Sequence, residues 1–223
     1  TTTPYYPYAQ EVDAAEVDSA SGGTFNYIRN SVKAVVDAYD GTVTLYLTDE
    51  LAGEPDPIIR AYDKAFPGMF TEDIPDNVMS HFRYPEFMFK AQTFMWGRYH
   101  QADPSTFFNN SDRWIVARRP SDVGAGGVAS SGDTASTSTL IALGAAREAA
   151  SASTEDPIEP YYQEMKVGSA ENSEFVLTRP FVLASSDDTG RNLTSIMIAR
   201  NDPGSYGELE EIVMVSVEGD EVS

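Results

Sequence analysis

The residues best suited to metal chemistry lie in one short stretch after a run of aromatic residues. His100, Asp103, Asn109 and Asp112 are closely spaced there. Oxygen-rich side chains at such spacing could bind calcium, and an imidazole could join a transition-metal site. Asp103, however, precedes Pro104 in the pattern of a helix N-cap, and the alternation typical of a calcium-binding loop is missing. A divalent cation such as calcium is therefore the alternative to plain helix capping.

Two pairs of residues that could bind a ligand bracket the helix predicted just before that stretch. Arg83 and Tyr84 stand at its start, and Tyr99 and His100 stand at its end. A helix of that length separates the pairs by about 20 Å, so they do not form one compact site. His81 lies on a polar segment and is expected at the surface, since no orienting partner for a general base is visible. The two pairs are therefore separate ligand-binding candidates.

No combination of side chains identifies a catalytic site. Two-carboxylate hydrolysis requires groups about 5 to 10 Å apart across a bond. Close pairs arise by chance in a chain with 35 acidic residues: Asp37 with Asp40, Asp49 with Glu50, Asp187 with Asp188, and Glu210 with Glu211. A Gly-x-Ser-x-Gly elbow is absent and the chain has 2 histidines, which argues against a serine-histidine-acid triad. We name no catalytic residue, and whether the protein is an enzyme stays open, with the balance against it.

The composition limits the partners. The chain has 35 acidic and 15 basic residues, a formal net charge of -20 that repels phosphate backbones and argues against nucleic acid as a partner. The simplest interpretation is that the acidity keeps the domain soluble, and binding of a hard cation is the sharper alternative. Because cysteine is absent, disulfides and thiolate zinc sites are excluded. No membrane-spanning run or secretory signal is present, and the start without methionine suggests a piece of a longer protein.

The elements that must position these side chains centre on residues 82–114. This stretch holds both tryptophans and six of the 11 phenylalanines, and so many large rings are expected in the interior. Tyr84-Pro85 predicts the start of a helix that is apolar nearly all round. Asp103-Pro104 predicts the start of a short second helix. The rings expected to face inward are Phe87, Phe94, Trp96 and Phe107.

Before this stretch, the pattern predicts an arm, a helix, a strand and two further helices. Residues 1–23 are expected to form an extended arm that packs its tyrosines and then becomes a loop. Apolar residues at helical spacing predict a helix from Thr24 to Tyr39, ended by Gly41. Residues 42–48 alternate with a period of two and predict a half-buried strand. Asp56-Pro57 predicts the start of another helix, and residues 73–80 predict a further turn or two.

After the central stretch, the composition changes twice. Residues 121–156 are rich in Ser, Gly, Ala and Thr and contain no aromatic residue, which predicts a flexible low-complexity insert. Four runs predict antiparallel strands at residues 161–167, 174–183, 193–200 and 211–217, with Pro180 at an edge or a bulge. The expected fold class is α+β: an aromatic-rich helical half (24–120) packs with a carboxy-terminal antiparallel meander (157–223) in the same domain.

A series of short motifs along most of residues 25–215 resembles uncharacterised protein family 0182. Those of the first half are YIRNSVKA (27–34), VDAYDG (36–41), RYP (83–85), and YH (99–100) with DP (103–104). Those of the second half are EPYY (159–162), EFVL (174–177) with PF (180–181), AR (199–200) with Asp202, and YG (206–207). The arm before Thr24 and the insert at 121–156 match no shared motif.

The resemblance implies a location but no reaction. It implies that the full-length protein is a bacterial integral-membrane protein with several amino-terminal spanning helices. This chain would then belong to its large extracytoplasmic portion at the cell membrane. The expected partner is the membrane-spanning portion of the same protein, together with an unidentified envelope component or protein.

Two hypotheses from different classes follow. The first is a non-catalytic extracytoplasmic module that presents a binding surface or acts as a scaffold. The second is an envelope hydrolase or transferase that uses carboxylates with a divalent cation. An exposed aromatic patch without a deep pocket would favour the first hypothesis, and a closed polar cleft with clustered titratable groups would count against it.

Overall fold

The predicted mixture of helices and antiparallel strands is confirmed. A computed structural model describes residues 1–51, 55–111, 113–118, 157–168, 172–184 and 193–214. The helices within these ranges are α1 (Ala14–Val17), α2 (Pro57–Ala65), α3 (Asp76–Met79), α4 (Glu86–Tyr99) and α5 (Pro104–Asn109). The strands are β1 (Thr2–Thr3), β2 (Val12–Asp13), β3 (Thr24–Phe25), β4 (Tyr27–Ile28), β5 (Val32–Val36), β6 (Val43–Leu47), β7 (Phe70–Thr71), β8 (Trp114–Val116), β9 (Tyr161–Met165), β10 (Glu174–Leu183), β11 (Leu193–Arg200) and β12 (Leu209–Val213). The insert expected at 121–156 lies outside the described residues.

The carboxy-terminal meander forms a five-stranded antiparallel sheet. Its order is β12-β11-β10, and both β8 and β9 pair along the other side of β10. The edge position considered for Pro180 is wrong, because Pro180 lies opposite Ile196 in the central strand. The alternative of a bulge is confirmed just beyond it, where the register shifts between Phe181 and Val182. A bulge lets proline, which has no N–H to donate, lie within a paired strand.

Helix α4 packs on one face of this sheet and supplies the centre of the core. Phe89 is fully buried there, together with Leu177 and Phe181 from β10. Phe87, Phe94, Trp96 and Phe107 are all half-buried and none of them is mostly exposed. The expected aromatic interior is thus confirmed for the inward side of α4, whereas its outward side carries exposed Met95 and Tyr99.

The helix predicted from Thr24 to Tyr39 is wrong. The segment forms β3, β4 and β5 instead, and β5 makes an antiparallel hairpin with β6 in which Val36 lies opposite Val43. Gly41 adopts a φ of 78° within the hairpin turn and does not end a helix. Valine is β-branched and favours strands. Its partner strand β6 was predicted correctly. The backbone hydrogen bonds that β6 offers favour a strand over a helix for residues 32–36.

The amino-terminal arm is more structured than the extended arm predicted. β1 pairs with β4, β2 pairs with β3, and Asp13 caps the short helix α1. The Tyr6 ring stacks on Tyr27 with centroids 4.6 Å apart. Tyr5 and Tyr8 are exposed, so the expectation that the arm packs all its tyrosines is wrong. Strand pairing holds the arm because it satisfies backbone groups that a lone extended segment would leave to water.

The helix starts predicted from proline and its preceding residue are confirmed. The Asp56 carboxylate accepts a hydrogen bond from the Ile58 N–H at 2.9 Å, and Pro57 begins α2. The expected turn at residues 73–80 contains α3. Of the large apolar side chains in and just after α2, Tyr62 and Phe66 are exposed, and the buried residue of the helix is Ile59. Within the described ranges, no helix combines the length and the apolar character that crossing a membrane requires.

Candidate functional site

An open apolar groove lies beside the outward side of α4. Its volume is about 460 Å³, and its walls come from the amino-terminal arm, β3, β4, α4, β11 and the start of β12. Met95, Tyr99 and Leu209 line it and are 43%, 52% and 41% exposed. Its polar lining residues are Gln10, Asn26 and Gln92, together with Tyr27 and Tyr99. No described lining residue is Asp, Glu, His, Lys or Arg, so the groove suits apolar contact and lacks acid–base groups.

A second cavity is lined by basic side chains. It lies between β5 and the connection from α3 to α4, and its volume is about 410 Å³. The titratable side chains that line it are those of Lys33, His81 and Arg83. None of the described lining residues is Asp or Glu. We call this space the cationic cavity.

Lys33 is the residue of the cationic cavity that sequence reasoning missed. Its Nζ donates a hydrogen bond to the backbone carbonyl of Arg83 at 2.6 Å, and burial lowers the pKa of Lys33 to about 8. The available signal was a lysine among the apolar residues VKAVV of β5. This signal was overlooked because the segment was predicted to be a helix. On a helix, the Lys33 side chain would lie on a different face from the one it takes in β5.

The Arg83 side chain is held rigidly at the edge of the cationic cavity. Its guanidinium lies over the Phe175 ring, 4.4 Å from the centroid. Nη1 donates hydrogen bonds to the carbonyl oxygens of Phe82 at 2.9 Å and Ser80 at 3.1 Å. These contacts use only Nη1 and one face of the guanidinium. They therefore fix its orientation and leave Nε and Nη2 as donors to a ligand.

Tyr84 is a structural residue and does not present its side chain to a ligand. It is 1% exposed. Its backbone N–H donates to Asn201 Oδ1 at 2.6 Å, and its carbonyl accepts a hydrogen bond from the Tyr162 hydroxyl at 2.6 Å. Of the candidate pair at the start of α4, Arg83 therefore reaches a cavity, and Tyr84 locks the start of the helix onto the sheet.

Tyr99 and His100, the candidate pair at the other end of the 14-residue helix α4, also have different roles. Tyr99 lines the apolar groove. The His100 ring stacks on Trp114 with centroids 3.8 Å apart, and its Nδ1 lies 3.1 Å from the Trp96 carbonyl oxygen. Its Nε2 is buried and has no hydrogen-bond partner among the described residues. His100 thus packs as an aromatic ring, and the two pairs stay at opposite ends of α4 as expected.

The predicted metal ligands are not assembled in the part of the chain that the structure describes. Asp103 accepts hydrogen bonds from the Thr106 N–H and hydroxyl, both at 2.8 Å, and these bonds lower the pKa of Asp103. Asn109 is exposed at the end of α5, and Asp112 lies outside the described residues. Across the described ranges, no three or more His, Cys, Asp or Glu side chains come together to hold a metal ion. Asp103 therefore acts as a helix cap, and a divalent-cation site stays a prediction.

The described carboxylates noted in the sequence stabilise the fold. Those with described hydrogen bonds accept them as follows: Asp49 and Glu50 from Arg60, Glu210 from Arg200, Asp37 from the Tyr39 N–H, and Asp40 from the Thr42 N–H. Asp187 and Asp188 lie outside the described residues. Counting only described lining residues, four cavities contain neither Asp nor Glu. No carboxylate pair is thus placed across a binding site there.

The sequence of this chain is similar to those of one protein family. The model of "Uncharacterised protein family (UPF0182)" matches residues 1–218. A UPF0182 protein of Methanospirillum hungatei is 35% identical over 211 residues, which are 94% of this chain and 19% of the relative. One of Alkaliphilus metalliredigens is 34% identical over 206 residues (92% and 17%), and one of Desulfitobacterium hafniense is 37% identical over 187 residues (82% and 16%). The chain spans about a fifth of the length of these curated relatives. No solved structure matches it.

Proposed function

Since the chain belongs to the uncharacterised protein family UPF0182, we propose that it is a non-catalytic binding or scaffold module on the extracytoplasmic side of a longer membrane protein. The relatives are about five times longer than this chain, which leaves room for a membrane-spanning portion. The acidic composition suits a solvent-facing module.

The apolar groove beside α4 is the observation that carries this proposal. Its exposed side chains, Met95, Tyr99 and Leu209, come from α4 and β12 and form one continuous apolar surface. Such a surface is unusual on a chain with a net charge of -20 unless another apolar surface covers it. Methionine and tyrosine are enriched in interface cores because they supply large contact areas without a full charge.

The proposed occupant of the groove is an apolar segment of the membrane-spanning portion of the same protein. The absence of charged residues from the described lining matches an uncharged partner. The length of the relatives outside the region matched by this chain supplies ample chain for such a segment. A hydrolase that uses carboxylates has no comparable support, since the described lining of the four cavities includes no Asp or Glu.

A photo-crosslinking amino acid at position 95 of the full-length protein tests the occupant. The expected cross-link joins position 95 to an apolar segment elsewhere in the same polypeptide, as mapped by mass spectrometry. The matched control carries the same amino acid at Tyr39, which is 99% exposed on the hairpin turn and should give no such product. Equal cross-linking from both positions, or none from position 95, would refute the proposed docking.

The proposed orientation is tested by a single introduced thiol, because the chain contains no cysteine. Tyr39→Cys in the full-length protein should be labelled by a membrane-impermeant maleimide in intact cells. We expect little further labelling after lysis, since the exposed position already faces the reagent. Full-length protein without the substitution reports any labelling of other segments. Labelling that appears only after lysis would place this module on the cytoplasmic side.

A further inference from the structure

We propose that the cationic cavity binds a phosphomonoester through Lys33, Arg83 and His81. The site is separate from the apolar groove, because the two have no described lining residue in common. A phosphomonoester carries about 1.5 to 2 negative charges at neutral pH. Lys33 and Arg83 supply two positive charges in a cavity whose described lining contains no carboxylate, so the charges of ligand and site are complementary.

Within the described residues, Lys33 lacks the counter-ions that three other cations of this acidic chain have. Arg60, Lys90 and Arg200 each form ion pairs with at least two carboxylates. No described residue forms an ion pair with Lys33, whose hydrogen bond goes to the neutral carbonyl oxygen of Arg83. A partly buried ammonium without a counter-ion is unfavourable, and a bound anion would remove that penalty. The missing counter-ion is the observation that points to an anionic ligand.

Arg83 offers the geometry that phosphate recognition requires. Stacking on Phe175 and two hydrogen bonds from Nη1 fix the guanidinium plane. No described residue accepts a hydrogen bond from its Nε or Nη2, the edge that can bind two phosphate oxygens. The hydrogen bond from Lys33 to the Arg83 carbonyl keeps the ammonium close to the same residue. Hydrogen bonds therefore hold the ammonium and the guanidinium in place before a ligand arrives.

His81 and the apolar walls complete the site. His81 is exposed, and its Nδ1 lies 2.7 Å from the Asn77 carbonyl oxygen, which requires Nδ1 to carry the proton. Its Nε2 is then the ring nitrogen left to contact a bound phosphate. Val35, Val78 and Phe82 supply apolar surface, and a volume of about 410 Å³ leaves space for an organic group beyond the phosphate. The cavity therefore fits an ester better than the bare ion.

The test is a side-chain NMR titration of Lys33 in the 223-residue chain. One arm adds glycerol 1-phosphate, and the other adds phosphatidylcholine vesicles with or without phosphatidic acid, whose headgroup is also a phosphomonoester. We expect an effective probe to raise the pKa of Lys33 from about 8 towards its ordinary value of 10.5. Lys33→Gln should weaken binding about tenfold. Lys64→Gln, the same charge change at an exposed position of α2, should leave affinity within about twofold.

Each outcome decides the proposal. A response to glycerol 1-phosphate supports a free phosphomonoester as the ligand, and a response confined to phosphatidic acid vesicles supports a lipid headgroup. An unchanged pKa of Lys33 in both arms, or equal losses of affinity in the two variants, would overturn the site. The pKa measurement uses the unsubstituted chain, so it decides the matter even if Lys33→Gln fails to fold. Failure of the cross-link at position 95 would leave this site unaffected.

Discussion

Replacing Phe89 with alanine is expected to lower the free energy of unfolding by about 3–5 kcal/mol. Phe89 is 0% exposed, and its ring meets the Tyr84 ring edge-on with centroids 6.5 Å apart. It packs in the cluster that joins α4 to β10 and β11. The loss combines the transfer free energy of the ring with the cavity that it leaves behind. Urea denaturation followed by circular dichroism measures the change.

Phe108→Ala is the matched control for Phe89→Ala. Phe108 belongs to the same aromatic stretch but is 80% exposed on α5. Its loss should change the free energy of unfolding by about 0.5 kcal/mol or less. If the two variants were destabilised equally, the assignment of the core to the inward side of α4 would be wrong.

Replacing Lys90 with alanine should lower the free energy of unfolding by about 3 kcal/mol. Lys90 is buried in α4, and its Nζ lies 2.9 Å from Asp18 Oδ2 and also pairs with Glu159. Burial disfavours the ammonium, but the bonds to Glu159 and Asp18 outweigh it and raise the pKa of Lys90. Without Lys90, two carboxylates would lose the cation that joins α1, α4 and the segment before β9. We place the loss at the lower end of the range for buried pairs because Glu159 is half exposed.

The control for Lys90→Ala is Lys64→Ala, which removes the same charge from an exposed position on α2. We expect a change of about 0.5 kcal/mol or less in its free energy of unfolding. Both variants are compared by urea denaturation at neutral pH and low salt, where the contribution of charges is largest. A loss for Lys90→Ala no larger than that of its control would mean that the ion cluster contributes nothing to stability.

The two proposed binding surfaces lie at opposite ends of α4, and one is apolar whereas the other is positively charged. Met95 and Tyr99 belong to the carboxy-terminal half of the helix and line the apolar groove. Arg83 precedes the helix and lines the cationic cavity. Because Asn201 and Tyr162 bind the backbone of Tyr84, the start of α4 is fixed to the sheet. One rigid helix therefore holds both surfaces at a constant separation.

Local signals in the sequence were sufficient where a structure depends on neighbouring residues. Asp56 and Asp103 were predicted as caps because the cap and its proline are adjacent in the chain, and both accept the expected backbone hydrogen bonds. The alternation in β6 was sufficient for the same reason. The family resemblance likewise rested on short motifs and is confirmed by the match over residues 1–218.

The sequence by itself determined the fold class, the helix starts marked by proline, the aromatic core around α4 and the family of this protein. Tertiary structure decided the rest. β5 became a strand because β6 offered partners to its backbone. The Lys33 ammonium meets the Arg83 carbonyl across a separation of 50 residues, and the apolar groove joins residues from the arm to β12. Such contacts depend on how distant segments pack, and no local spacing or composition encodes them.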